Sequence, residues 1–122
     1  MGLVVREVVI EPGGSTGWHY HVCEIAAVVK SGTLTRILRD RSVEVTSAGG
    51  AFIEPAGIRH AHIGRNLGTE PVVIEVRYDL PEDRPFAVEV PAPPAPPDIR
   101  RQPRAPIACS VKFPAVRKPR RR

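Results

Sequence analysis

Along residues 1–80 the apolar positions recur every second residue rather than every 3.6. Val72, Ile74, Val76 and Tyr78 alternate with Val73, Glu75 and Arg77, the pattern of a strand with one buried face. Leu3–Ile10 is rich in β-branched residues and broken only by Arg6-Glu7. Ile25–Val29, Thr33–Arg39, Ser42–Thr46, Ala51–Glu54 and His60–Ile63 are further short runs of this kind. Between them stand Pro12-Gly13-Gly14, Ser31-Gly32, Ser47-Ala48-Gly49-Gly50, Pro55-Ala56-Gly57 and Asn66-Leu67-Gly68, all turn formers. About six to eight short strands at close spacing predict a sandwich or barrel, not βαβ units. No stretch forms a capped amphipathic helix, so the predicted class is all-β.

Composition splits the 122 residues in two. Residues 1–80 carry 8 Lys/Arg and 9 Asp/Glu, a net of −1, and all ten glycines and all four histidines. Residues 81–122 carry 10 Lys/Arg against 4 Asp/Glu, a net of +6, and 11 of the 14 prolines. The expected organisation is therefore a folded β-module, 1–80, followed by a basic, proline-rich tail, 81–122. Pro91–Pro97 should be extended, polyproline-like chain. The low apolar content and lack of period beyond it predict disorder. Such a tail could meet nucleic acid or an anionic surface only non-specifically, by counterion release, or have no partner at all.

A module of about 80 residues has a thin core, and Leu3–Ile10 begins too near the N-terminus to have its edge covered. Open strand edges tend to be paired, so a homodimer with this strand near the interface is expected. The longest apolar run, Ile25–Val29, has five residues, far short of the roughly 20 that a membrane-spanning helix needs. The N-terminus has no basic start leading into an unbroken apolar stretch, so no secretory signal is expected. Cys23 and Cys109 form neither a disulfide framework nor a CxxC pair, and a reducing, cytoplasmic setting is the expectation.

The candidate chemistry lies in two clusters. Gly17-Trp18-His19-Tyr20-His21-Val22-Cys23-Glu24 and Pro55-Ala56-Gly57-Ile58-Arg59-His60-Ala61-His62 each contain His-x-His. On a strand, residues i and i+2 share a face and lie ~6.5–7 Å apart. Imidazoles so placed can converge on one ion at bonds of about 2.0–2.1 Å. If the two segments are neighbours, up to four histidines line one cavity. Strict alternation points Cys23 inward, as a soft ligand or a small buried hydrophobe, and points Glu24 outward unless a bulge re-aims it. Ile25, Ala27 and Val29 would supply apolar wall. Trp18 and Tyr20 should face away from the histidines and serve packing. Arg36 or Arg59 could hold an acidic substrate with a planar fork, or be ordinary surface arginines.

These residues resemble the cupin superfamily, whose motifs are G-x5-H-x-H-x3,4-E-x6-G and G-x5-P-x-G-x2-H-x3-N. The first is met by His19-x-His21 and by Gly32, eleven residues beyond His21. The second is met by Gly49, Pro55, Gly57 and His60. The resemblance runs from about Val8 to Tyr78 and implies a double-stranded β-helix, or jelly-roll, barrel. It also implies a divalent transition metal such as Fe, Mn, Zn, Ni or Cu held by barrel histidines. The position of the motif glutamate falls on Ile25, with Glu24 one residue early. Counted from Pro55 and Gly57 the last motif histidine is His60; counted back from Asn66 it is His62. The expected ligands are His19, His21 and His60, with His62 beside them on the same face and Glu24 as the candidate carboxylate. Activities implied by the resemblance are a metal-dependent oxygenase or isomerase acting on a small molecule. The alternative is a non-catalytic small-ligand sensor or carrier. No phosphate-binding glycine loop or nucleophile elbow competes with this reading.

Overall fold

A computed structural model describes residues 3–79 and 84–94. The remainder of the tail, with Cys109 and the terminal arginines, lies outside the described residues.

Nine strands form two antiparallel sheets: β1 (Leu3–Ile10), β2 (His19–Tyr20), β3 (Ile25–Ser31), β4 (Thr33–Leu38), β5 (Val43–Ser47), β6 (Ala51–Glu54), β7 (His62–Arg65), β8 (Val72–Asp79) and β9 (Val88–Glu89). One sheet has the order β1-β8-β3-β6 and the other β5-β4-β7-β2-β9. The chain crosses repeatedly between the sheets, as in a double-stranded β-helix, so the expected all-β class and jelly-roll barrel are what the chain adopts. A single 3₁₀ turn, Ile58–His60, is the helical element among the described residues.

The period-two pattern does the sorting. On β8, Val72, Ile74, Val76 and Tyr78 are buried, while Arg77 and Asp79 are exposed. On β3, Ile25, Ala27 and Val29 are buried and Ala26 and Lys30 are exposed. These positions join Val8, Ile10 and Leu34 in one core between the sheets. Burial of such side chains contributes on the order of 1.5–3 kcal/mol each, enough to hold the register.

Two polar or glycine positions of the motifs are structural. Asn66 is fully buried and its Nδ2 donates to the carbonyls of Ile10 (2.9 Å) and Glu70 (2.7 Å), tying the β7–β8 loop to the end of β1. Gly32 has φ 78°, and a Cβ there would lie 2.6 Å from the Pro71 carbonyl oxygen. Only glycine fits a left-handed turn against another backbone.

Some residues past the expected boundary at 80 also lie against the barrel. Residues 84–94 return to it: β9 pairs with β2, with Tyr20 opposite Val88 and His19 opposite Glu89. Val90 N donates to the Trp18 carbonyl at 3.0 Å, and the Arg41 guanidinium lies 5.7 Å from the Trp18 ring. Phe86 packs against Tyr78, with ring centroids 5.0 Å apart. The abrupt rise in proline content pointed to unstructured chain, but Phe86-Ala87-Val88 is an apolar run that a barrel mouth can accept. The half-buried Trp18 and Tyr20 thus serve packing, as expected, with this strap running alongside them.

Candidate metal centre

β2 and β7 are antiparallel neighbours, and His19 stands directly opposite His62. Directly opposed residues project to the same face of a sheet, so both rings enter the barrel. His21 directly follows β2 and, two residues on from His19, remains on that side. Ring centroids lie 4.9 Å apart for His19–His21, 4.4 Å for His19–His62 and 5.3 Å for His21–His62. All three histidines are buried, and one ring nitrogen from each lies within 4.8 Å of the others. Two bonds of about 2.1 Å span at most ~4.2 Å, and less between neighbouring ligands, so a bound ion would draw these nitrogens closer together.

Each ring is oriented by a backbone carbonyl. Nδ1 of His19 lies 2.9 Å from the Gly17 oxygen, that of His21 3.0 Å from the Phe86 oxygen, and that of His62 2.9 Å from the His60 oxygen. A carbonyl only accepts, so Nδ1 donates in each case and the Nε2 side of each ring is turned into the barrel. This is the outer-shell arrangement that sets tautomer and ring direction at metal sites. The His19 pKa is lowered to about 4 by burial and then by the neighbouring His62, with the Gly17 hydrogen bond opposing. His19 is therefore a neutral donor at physiological pH. The donor set suits a divalent transition metal.

The structure also places a carboxylate here that the motif spacing did not indicate. Glu54, at the end of β6, is buried with Oε1 3.1 Å from His21 Nε2 and Oε2 2.9 Å from His62 Nε2. Arg36 Nη1 donates to Oε2 of Glu54 at 3.1 Å, and Nη2 to Glu44 at 2.6 Å. The guanidinium lies 3.8 Å from the Phe52 ring centroid. Burial alone would raise the Glu54 pKa, but the contacts from His21 and His62 outweigh it and hold the carboxyl well below the usual range. The pairing could have revealed Glu54. With Ile25 and Ala27 inward on β3, their β6 partners Glu54 and Phe52 must be inward too.

The other expected ligands stand elsewhere. His60 is exposed at the end of the 3₁₀ turn. The strand expected from residue 60 begins at His62, so the two histidines do not share a strand face, and the structure groups His62 rather than His60 with the β2 pair. The turn follows from Gly57, whose φ of 109° suits glycine, and whose N–H donates to the His21 carbonyl at 2.9 Å. Glu24 is exposed, the outward direction that alternation gives it, and no bulge re-aims it. Cys23 is half-buried against the core, outside the histidine group, and burial raises its pKa. Arg59 is exposed, whereas Arg36 is buried and its acidic partners are Glu54 and Glu44.

A cavity of about 430 Å³ opens beside the three histidines, walled by Val8, Ala27, Ile74, Val76 and Phe86. That size suits a small organic molecule. Among the described residues no helix is long and apolar enough to cross a membrane.

Comparison with known proteins agrees with the architecture. A double-stranded β-helix protein from Klebsiella pneumoniae superposes with a TM-score of 0.56 at 25% identity, covering 62% of this chain and 64% of that one. The chain thus spans less than two thirds of that relative's length. A cupin-2 domain protein from Shewanella frigidimarina gives a TM-score of 0.54 at 24% identity, over 64% and 71% of the two chains. A DMSP lyase from Ruegeria pomeroyi shares the fold at 18% identity and a TM-score of 0.62, over 71% of this chain and 42% of that one. No curated protein matches the chain. The model of the Cupin domain family matches residues 6–78, and the chain belongs to that family.

Proposed function

We propose that this protein is a metal-dependent cupin in which His19, His21 and His62 hold one divalent transition ion, Fe, Mn, Zn or Ni, beside a cavity for a small organic substrate. The observation that carries the reading is the convergence of three buried imidazoles, each with Nδ1 committed to a backbone carbonyl. A bound ion of this class supplies Lewis acidity or, if redox-active, a site for dioxygen chemistry. The chain's own residues do the rest. The apolar walls seat the body of the substrate and exclude water, Phe86 closes one side, and the polar end formed by the histidines and Glu54 orients the reacting group. The reaction class that suits this division is oxygenation or isomerisation.

Elemental analysis of the purified protein, followed by oxygen-uptake and isomerisation assays over small organic acids and carbonyl compounds, tests the reading. One equivalent of transition metal with turnover supports it. Metal without turnover would assign the chain to ligand sensing or transport, and absence of metal after reconstitution would end the proposal. We further propose a homodimer through β1. This strand pairs only with β8 among the described residues, and Leu3 at its start is 66% exposed. Light scattering on the full chain and on a Val5→Pro variant, which should shift the population to monomer, measures this.

A further inference from the structure

The cupin motif places its carboxylate on the strand that follows the first histidine pair, and here that strand offers Ile25 inward and Glu24 outward. A buried carboxylate nevertheless reaches the histidines, from a different strand. We infer that Glu54, carried on β6, is the carboxylate ligand of the metal centre, so that the ligand set is His19, His21, His62 and Glu54. The inference rests on the metal-binding reading above and assigns a residue at an unspecified position of the second motif, just before Pro55.

Three observations carry it. The first is spacing. Neighbouring donors round a six-coordinate ion with bonds of about 2.0–2.1 Å lie roughly 2.9–3.0 Å apart. The Glu54 oxygens lie 3.1 and 2.9 Å from the Nε2 atoms of His21 and His62. These are the inward-facing nitrogens once each Nδ1 is committed to its carbonyl, and they hold Glu54 at hydrogen-bond distance. Glu54 therefore already stands in the position of an adjacent ligand to both rings. Three histidines and one carboxylate round a six-coordinate ion still leave positions open for substrate.

The second is placement: Glu54 takes an inward position, and its pairing with Arg36, His21 and His62 is what makes that burial possible. The inward position opposite Ile25 on a four-residue edge strand would ordinarily hold an apolar side chain, and Ile53 beside it is turned outward and 54% exposed. The chain thus places its carboxylate inward and its isoleucine outward at the cost of apolar burial. Burying a carboxylate is costly unless it is paired. The third is anchoring. Arg36, itself buried, donates to the Glu54 oxygen that faces His62 and is clamped by Glu44 and the face of Phe52. This support fixes the carboxylate, as outer-shell partners fix ligands at metal sites.

The test uses the full chain stripped of metal and titrated with Co²⁺, read by calorimetry and by the visible d–d spectrum, with no activity required. Glu54→Gln should weaken Co²⁺ binding by at least tenfold and change the d–d bands, because an oxygen ligand is lost. Glu54→Asp should retain a carboxylate-type spectrum at reduced affinity, and it serves as the measure should Glu54→Gln fail to fold. Glu24→Gln should change neither affinity nor spectrum. Wild-type affinity and bands in Glu54→Gln, or their loss in Glu24→Gln, would overturn the assignment while leaving the three-histidine reading intact. Failure of the wild-type chain to bind Co²⁺ at all would overturn both.

Discussion

The chain contains His-x-His twice, and the two copies behave differently. Around His19 and His21 the backbone is a two-residue strand that ends just before His21, and both rings reach the barrel interior. Around His60 and His62 the backbone changes state between the two residues. His60 ends a 3₁₀ turn and is exposed, while His62 starts β7 and is buried. The same three-letter pattern thus gives two candidate ligands in one place and one in the other. What decides is the glycine three residues before His60. Gly57, at φ 109°, feeds a turn that a continuous strand could not contain. A histidine pair read from sequence is a pair on one face only where the period of two is unbroken.

The largest consequence concerns metal. His62→Ala should lower affinity for a divalent transition ion by a hundredfold or more, whereas His60→Ala should leave it within about twofold. Equilibrium dialysis of both variants measures the contrast, and equal losses would erase the distinction between the two positions.

A second consequence concerns acid. His19 is neutral when buried, with its pKa lowered from 6.5 to about 4. The unfolded chain therefore takes up a proton at His19 as pH falls through 6.5 while the folded chain does not. Stability contributed by neutral His19 is full above pH 6.5, declines between 6.5 and 4, and is lost below that. The span corresponds to about 3 kcal/mol. Glu54 acts in the same direction at lower pH, because its folded pKa is held down and protonation favours unfolding. Urea unfolding of the metal-free protein at pH 7, 5.5 and 4 should show this decline. His19→Gln should flatten the upper part of it, and His60→Ala should not.

Gly57→Ala sharpens the comparison at its origin. The backbone there is almost exclusive to glycine, and a side chain should cost roughly 1–3 kcal/mol. Its N–H also joins the two clusters through the His21 carbonyl, so metal affinity should fall along with stability. Thermal unfolding with and without Zn²⁺ separates the two effects. The smallest effect is expected at Glu24, exposed on the outer side. Glu24→Gln should change stability by less than about 0.5 kcal/mol.

Much of this was legible in the residues. The alternation on β8 and β3 set the buried faces, and the glycine and proline punctuation set the turns, because side-chain direction in a strand has only two values. The outward direction of Glu24 follows from the same rule. Three features were not legible, each for a physical reason. The 3₁₀ turn at Ile58–His60 depends on the conformation of Gly57, and the alternation rule has no term for it. Glu54 becomes visible only when β6 is registered against β3, which is a non-local pairing. The strap at residues 84–94 is built from a proline-rich stretch whose composition signals extended chain. Its docking is decided by the barrel: Phe86 lies against His21 and Tyr78, and its carbonyl orients the His21 ring.

X-ray absorption at the metal edge of Co²⁺-loaded full-length protein addresses the central point most directly, since imidazole rings leave a distinct multiple-scattering signature. Three imidazole nitrogens at about 2.0–2.2 Å per ion, reduced to two in His62→Ala and unchanged in His60→Ala, is the result expected. A shell made of oxygen alone, or one that loses an imidazole when His60 rather than His62 is replaced, would contradict the account.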